Sequence, residues 1–220
     1  MGAGAVGCFI GGSLLAAGAK VRFIGRPHVL STLKEHGLTL TDLDGRKQEI
    51  DASRLQVNSE VPWGVRPALV LLTVKSASTF EAAAQLGDRL PAGTVVVSLQ
   101  NGVSNAHMAG HAAPTLRVLA GVVPFNIAVT APGVYHRGTG GRLSAKQHPA
   151  LMPWIEWSER AGIPLDLRAD IEALQWGKLL INLNNPVNAL SGLPLRDQLL
   201  DAGYRSCWAA LVGEAGLVLA

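Results

Sequence analysis

The sequence predicts an α/β fold with a mostly parallel sheet, followed by a shorter all-helical segment. The chain opens on a glycine-rich turn, Gly2-Ala3-Gly4-Ala5-Val6-Gly7, that runs directly into an apolar helical stretch. Short, nearly unbroken apolar runs then recur at 68–74, 94–99 and 117–123, with helical segments between them. Such runs are the mark of parallel strands covered on both faces. From Ala169 onward the strand signals stop and the pattern is helical throughout.

Taken in order, Gly2, Gly4 and Gly7 form G-x-G-x-x-G, Cys8–Ala17 continues as a helix, Gly18 ends it, and Lys20–Ile24 is the next strand. A signal peptide is a poor reading, because no Lys or Arg precedes Lys20. A membrane helix is equally poor, with six glycines in the first eighteen residues. In a Rossmann-type loop the glycines allow a tight turn and close backbone approach, and the helix N-terminus receives a pyrophosphate. That loop normally follows a strand. Met1 stands where the last apolar residue of the strand would be, so the first strand is expected to be missing.

His28–His36 and Ser78–Leu90 read as helices, residues 38–61 as a small β excursion turning at Asp44-Gly45, and Gly133–Leu143 as a glycine-rich hairpin. The uncharged stretch Val118–Val134 is broken by Pro124 and Pro132, which favours buried strands over a membrane segment. Ala150–Ala161 is a further helix and Ile163–Leu167 a further strand. The expected boundary near 168 divides the chain into a nucleotide-binding domain, 1–168, and the start of a helical domain, 169–220. Helices are expected at Arg196–Asp201 and from Tyr204 onward, and this second domain is expected to be incomplete.

At 220 residues with 48% apolar and 16% charged residues, the chain has material for a substantial core, and disorder is excluded. The net charge of +3, without a Lys/Arg stripe, suits a small anionic substrate and argues against nucleic acid as a partner. No membrane association is expected. Cys8 and Cys207 match no metal spacing and are expected to be free thiols in a reducing cytoplasm. His107, His111 and His136 show no ligand spacing and read as surface or loop residues, so no metal is expected.

Arg26 follows the strand ending at Ile24, where the adenosine ribose lies in a dinucleotide fold. An Arg there pairs with a 2′-phosphate, whereas NAD calls for a carboxylate, so NADP is favoured over NAD. The alternative is a solvated surface Arg. Lys75 and Asn101 follow the strands 68–74 and 94–99, at the ends where ligands bind in open α/β sheets. Taken singly, Asn101-Gly102 is an ordinary turn. Lys178 lies in an apolar helical run with Asn182 four residues on and Asn185 seven on, so the three are expected on one helix face. A partly desolvated ammonium there could donate a proton. A structural polar ladder is the competing reading.

The segments GAGAVG, IGR, TVK, LQNG and WGKLLINLNNP, in this order across nearly all of residues 2–215, resemble the ketopantoate reductases (2-dehydropantoate 2-reductase). The W-x-K-L-L-x-N run is the most specific of these. The resemblance implies a Rossmann-type NADPH domain, Gly2–Gly7 included, then a helical domain with the active site between them. It implies NADPH-dependent reduction of ketopantoate to pantoate, in pantothenate biosynthesis, and admits a homodimer. By the same resemblance Lys178 is the proton donor, Asn182 a substrate-binding Asn, and Lys75 and Asn101 the cofactor-side pair, with Asn101 also touching substrate. Asn185 is the expected second substrate Asn. The family spaces its two helix asparagines four apart. Here Asn182 and Asn185 are three apart and Pro186 follows. That departure leaves another 2-keto acid open, and the missing segments leave open a non-catalytic nucleotide-binding fragment.

Overall fold

A computed structural model describes residues 1–219, which divide into two compact units, Met1–Ile171 and a helical one from Glu172 onward. The first unit is a Rossmann-type layer structure. β5 (Val70–Leu72), β6 (Val95–Ser98) and β7 (Arg117–Val122) pair in parallel. β10 (Leu143–Lys146) joins β7 antiparallel, and β11 (Leu165–Arg168) closes that edge in parallel with β10. Apart from these, β1 (Arg22–Ile24) and β4 (Gln56–Asn58) form a parallel pair.

Residues 1–3 lie between the two groups of strands. The Met1 amino group donates to Leu71 O at 2.8 Å, and Thr73 N–H donates back to Met1 O at 2.8 Å. On the other side Gly2 and Ala3 donate to Ile24 O at 2.8 and 2.9 Å. With this stub in place the order reads β4-β1-stub-β5-β6-β7, and the direction of crossover reverses at the stub. That reversal is the switch point at which α/β sheets bind ligands. Behind the stub the space between β1 and β5 is a cavity of about 380 Å³. Leu14 and Trp154 line it on one face of the sheet, and Val61, Leu86 and Leu90 on the other.

Helix α1 (Ala5–Ala16) is apolar because it is covered on nearly all sides: Cys8 through Leu15 are buried. Gly18, with φ +100°, ends it. Two cores result. Phe9, Ile10, Leu33, Val97 and Leu99 belong to one face, and Leu72, Ala83, Leu86, Val96 and Ala109 to the other. α2 (Pro27–His36), α3 (Thr79–Arg89) and α5 (Met152–Arg160) fall where the sequence places helices, whereas α4 (Asn105–Ala112) was not anticipated.

A second sheet, in the order β3 (Lys47–Ile50), β2 (Leu38–Asp42), β9 (Val134–Arg137), β8 (Ile127–Ala131), lies outside the main one. β2 (Leu38–Asp42) and β3 (Lys47–Ile50) form the excursion turning at Gly45, φ +79°. The hairpin expected at Gly133–Leu143 is displaced. The observed hairpin joins β8 (Ile127–Ala131) to β9 (Val134–Arg137) through Gly133, and β9 and β10 belong to different sheets. Gly141, φ +126°, turns the chain out of the second sheet, held by Arg137 Nη2 donating to its carbonyl at 2.6 Å. β8 is also mostly exposed, not buried as expected, because it is an edge strand. No helix among the described residues is long and apolar enough to cross a membrane.

The helical unit contains α6 (Ile171–Asn182), α7 (Asn184–Ser191), α8 (Leu195–Leu200) and α9 (Ala202–Leu219). The single helix expected to carry Lys178, Asn182 and Asn185 is instead two, divided at Leu183. Pro186 is the cause. It has no N–H to donate to Asn182 O, four residues back, and its ring crowds that carbonyl. Asn184 turns inward and exchanges two hydrogen bonds with the fully buried Gln198, at 3.0 and 3.2 Å. Trp208 Nε1 donates to Leu180 O at 3.3 Å, tying α9 to α6.

Candidate active site

The glycine loop is shaped by contacts that leave no room for side chains. Gly2 has φ +100°, and a Cβ there would lie 2.6 Å from Val74 N. A Cβ on Gly7 would lie 2.2 Å from Gly2 O and 2.6 Å from Thr73 Oγ1. Thr73 Oγ1 in turn donates to Gly2 O at 2.7 Å. Around Gly4, by contrast, the space is open. α1 begins immediately after it with no side-chain cap and no acidic residue in its first turn. The N–H groups of Ala5, Val6 and Gly7 therefore present the positive end of the helix to that open space. This cradle fits the pyrophosphate of a dinucleotide, which is where Gly2, Ala3, Gly4, Ala5, Val6 and Gly7 were expected to act. Gly7→Ala is expected to destabilise the fold by about 1–3 kcal/mol through overpacking. Tm should fall by roughly 3–10 °C, with loss of dinucleotide binding. An unchanged melt would contradict the close approach.

Arg26 lies two residues beyond Ile24, whose carbonyl holds the loop, at the cap position of α2, and is exposed. Gly25 between them passes against Ala3, with 2.7 Å from a notional Cβ to the Ala3 Cβ. Lys75 is exposed and follows Val74, which abuts Gly2. Asn101 is exposed just past the end of β6. The loop, Arg26, Lys75 and Asn101 thus gather at the C-terminal end of the parallel strands, around the switch point. The cavity of about 380 Å³ lies beneath the loop, in the sheet itself, and is a strand-shaped slot, not this crevice.

In the helical unit, Lys178 and Asn182 lie one turn apart on α6 and both are half-buried. Burial pushes the Lys178 ammonium below the usual lysine pKa. Asn185 is exposed on α7, past the break, so the structure does not carry it on one helical ladder with the other two.

A group that sequence reasoning missed lies beneath Lys75 and Asn101: Ser98, Gln100, Thr79 and Asn105 are buried polar residues joined by hydrogen bonds. The signal available was the polar run S-L-Q-N-G-V-S-N after a wholly apolar strand. Among the described residues there is no cluster of His, Cys, Asp or Glu fit to hold a metal ion.

Residues 1–149, which hold the loop and every candidate residue of the first unit, match the family described as ketopantoate reductase PanE/ApbA. The chain belongs to the ketopantoate reductase family. A 2-dehydropantoate 2-reductase from Pyrococcus horikoshii is 30% identical over 196 residues, which are 86% of this chain and 62% of that protein. This ketopantoate reductase family chain therefore spans less than two-thirds of that relative's length. The solved PanE/ApbA family ketopantoate reductase from Ralstonia eutropha is 28% identical, with a TM-score of 0.87 over 99% of this chain and 72% of its own. A D-mandelate dehydrogenase solved with NADH and anilino(oxo)acetate shares the fold, with a TM-score of 0.83 at 20% identity. It covers 99% of this chain and 72% of its own.

Proposed function

We propose that this chain serves NADPH-dependent reduction of ketopantoate to pantoate, the first unit binding the dinucleotide and the second supplying the proton. The observation that carries the reading is the uncapped loop Gly2–Gly7 at the switch point, with glycine at its two closest backbone approaches, Arg26 on one side and Lys75 and Asn101 on the other. When bound, NADPH supplies the hydride. The loop holds the pyrophosphate on the N–H groups of the first turn of α1, and Arg26 reaches the 2′-phosphate. Lys75 and Asn101 orient the nicotinamide end, and Asn101 also hydrogen-bonds the substrate. Lys178 delivers a proton to the ketone oxygen, and Asn182 holds the substrate in line with it. Asn185 is the second substrate amide in this reading. The family's second asparagine position is taken here by Pro186, which offers no side-chain amide. That substitution favours a second reading, reduction of another 2-keto acid on the same machinery. Two free cysteines, one buried and one exposed, are consistent with work in the cytoplasm.

Consumption of NADPH in the presence of ketopantoate, against a panel of branched and aromatic 2-keto acids, tests the assignment and separates the two readings. The cofactor preference has its own test. Arg26→Ala should weaken NADPH binding about 10- to 100-fold, corresponding to the roughly 1–3 kcal/mol of a charge-assisted hydrogen bond, and leave NADH nearly unchanged. Equal losses for both cofactors in a binding titration would defeat the role given to Arg26.

A further inference from the structure

The buried polar group beneath Lys75 and Asn101 forms one directed chain of hydrogen bonds. Ser98 Oγ donates to Gln100 Oε1 at 2.9 Å. Gln100 Nε2 donates to Thr79 Oγ1 at 2.6 Å and to Val74 O at 3.0 Å. Thr79 Oγ1 donates to Asn105 Oδ1 at 3.0 Å. Asn105 Nδ2 then donates to Ser76 Oγ at 3.1 Å and to Asn101 O at 2.6 Å. Both amide orientations are dictated, because Val74 O and Asn101 O can only accept and so require the NH₂ ends. The four side chains are between 0% and 8% exposed. Polar groups this buried are costly to place in a core, and an apolar filling would be no worse for packing alone.

What the chain of bonds ties together is specific. Val74 and Ser76 flank Lys75, and both are held. Asn101 is gripped by its own carbonyl and follows Gln100. Lys75 and Asn101 are themselves exposed, so the conformations of the two segments that bear them are set from below.

We propose that Asn105 is a positioning residue for the nucleotide site: through Ser76 and the Asn101 carbonyl it locks the segment bearing Lys75 to the segment bearing Asn101. Gln100 and Thr79 orient it. This inference rests on the proposed nucleotide site. Its chemistry is that of a brace, which keeps an ammonium and an amide in register for an incoming dinucleotide and removes the need to order them on binding.

Two variants test it by NADPH fluorescence titration and thermal melts on the same preparations. Asn105→Asp keeps the shape and the bond from Thr79 but loses both donations. It should raise the Kd for NADPH at least about tenfold in protein that still melts cooperatively. Ser76→Ala, at an exposed position, removes only the link to the Lys75 segment and should raise the Kd about three- to tenfold with little change in Tm. If the brace acts through Lys75, Ser76→Ala should add little in a Lys75→Ala background, because the two changes share one pathway. Additive losses, or a lower Tm with unchanged NADPH affinity, would overturn the proposal and leave a purely structural network. Should Asn105→Asp fail to fold, the Ser76/Lys75 cycle decides alone. Failure of the unmodified chain to bind NADPH would remove the nucleotide site and the brace together, whereas binding that ignores both variants would remove the brace only.

Discussion

In protein that turns over ketopantoate, Lys178→Ala should keep the fold and NADPH binding while kcat falls about 10²–10⁴-fold, the usual contribution of a general acid. Lys178 is half-buried in a helix whose neighbours are Leu179, Leu180 and Ile181, and burial disfavours its charged form. Next to a ketone oxygen that gains negative charge, the same ammonium is a ready proton source. The loss should therefore appear in kcat more than in cofactor affinity. The sign of the pH dependence follows from the lowered pKa. As pH rises, the donor is lost at a lower pH than an ordinary lysine would allow, and turnover should fall with it. A structural polar ladder predicts the opposite division, a lower Tm with near-normal turnover in the surviving protein. Turnover and Tm on one preparation of the variant separate the two.

The second large effect concerns the slot between β1 and β5. Within a strand, a residue's N–H and C=O point to the same side. Since Leu71 O and Ile24 O accept from the stub, the N–H groups of Leu71 and Ile24 face the slot as well. An added residue directly before Met1 would offer its carbonyl to Ile24 N–H, and the one before that to Leu71 N–H. Side chains on both faces would enter apolar surroundings, with Leu14 and Trp154 on one side and Leu86 and Leu90 on the other. Burial of about 1.5–3 kcal/mol per apolar residue, less about 1.5 kcal/mol per residue for ordering, leaves a gain of a few kcal/mol over five residues. An extension of five β-branched residues should thus raise Tm by roughly 5–15 °C, and a Gly/Ser extension should not.

The extension should also remove a pH effect. Burial lowers the Met1 amino group to about 6 from 8.0, so the unfolded chain binds the extra proton between those values. Stability of the chain beginning at Met1 should rise from pH 6 to pH 8, and that rise should vanish once the amine is a peptide N–H. Coincident melts of the apolar and Gly/Ser extensions would show that the slot does not bind a strand.

The parallel strands, α1 and the loop could be placed from sequence because each rests on a local, strong signal. Glycines with no room for a Cβ and uninterrupted apolar runs mean the same thing in almost any context. The positions of Lys75, Asn101 and Arg26 just past the ends of β5, β6 and β1 were legible for a related reason, since each follows an apolar run. The break at Leu183 was written in the sequence by Pro186, but the continuous apolar pattern around Lys178 outweighed it, and Asn185 was assigned to the helix of Lys178 and not to the next one. The Thr79–Asn105 bond joins residues 26 apart. No periodicity announces such a pairing, and a buried Asn looks like any loop Asn until the fold brings its partner. β10 was obscured by the glycines between it and β9, which read as a turn within one hairpin.

The proposed function depends most directly on dinucleotide binding by the loop of the first unit. Titration of the unmodified chain with NADPH and with NADH, followed by cofactor fluorescence, should give saturable binding of one dinucleotide per chain, tighter for NADPH, and abolished by Gly7→Ala. No saturable binding, or NADH bound as tightly as NADPH, would contradict it.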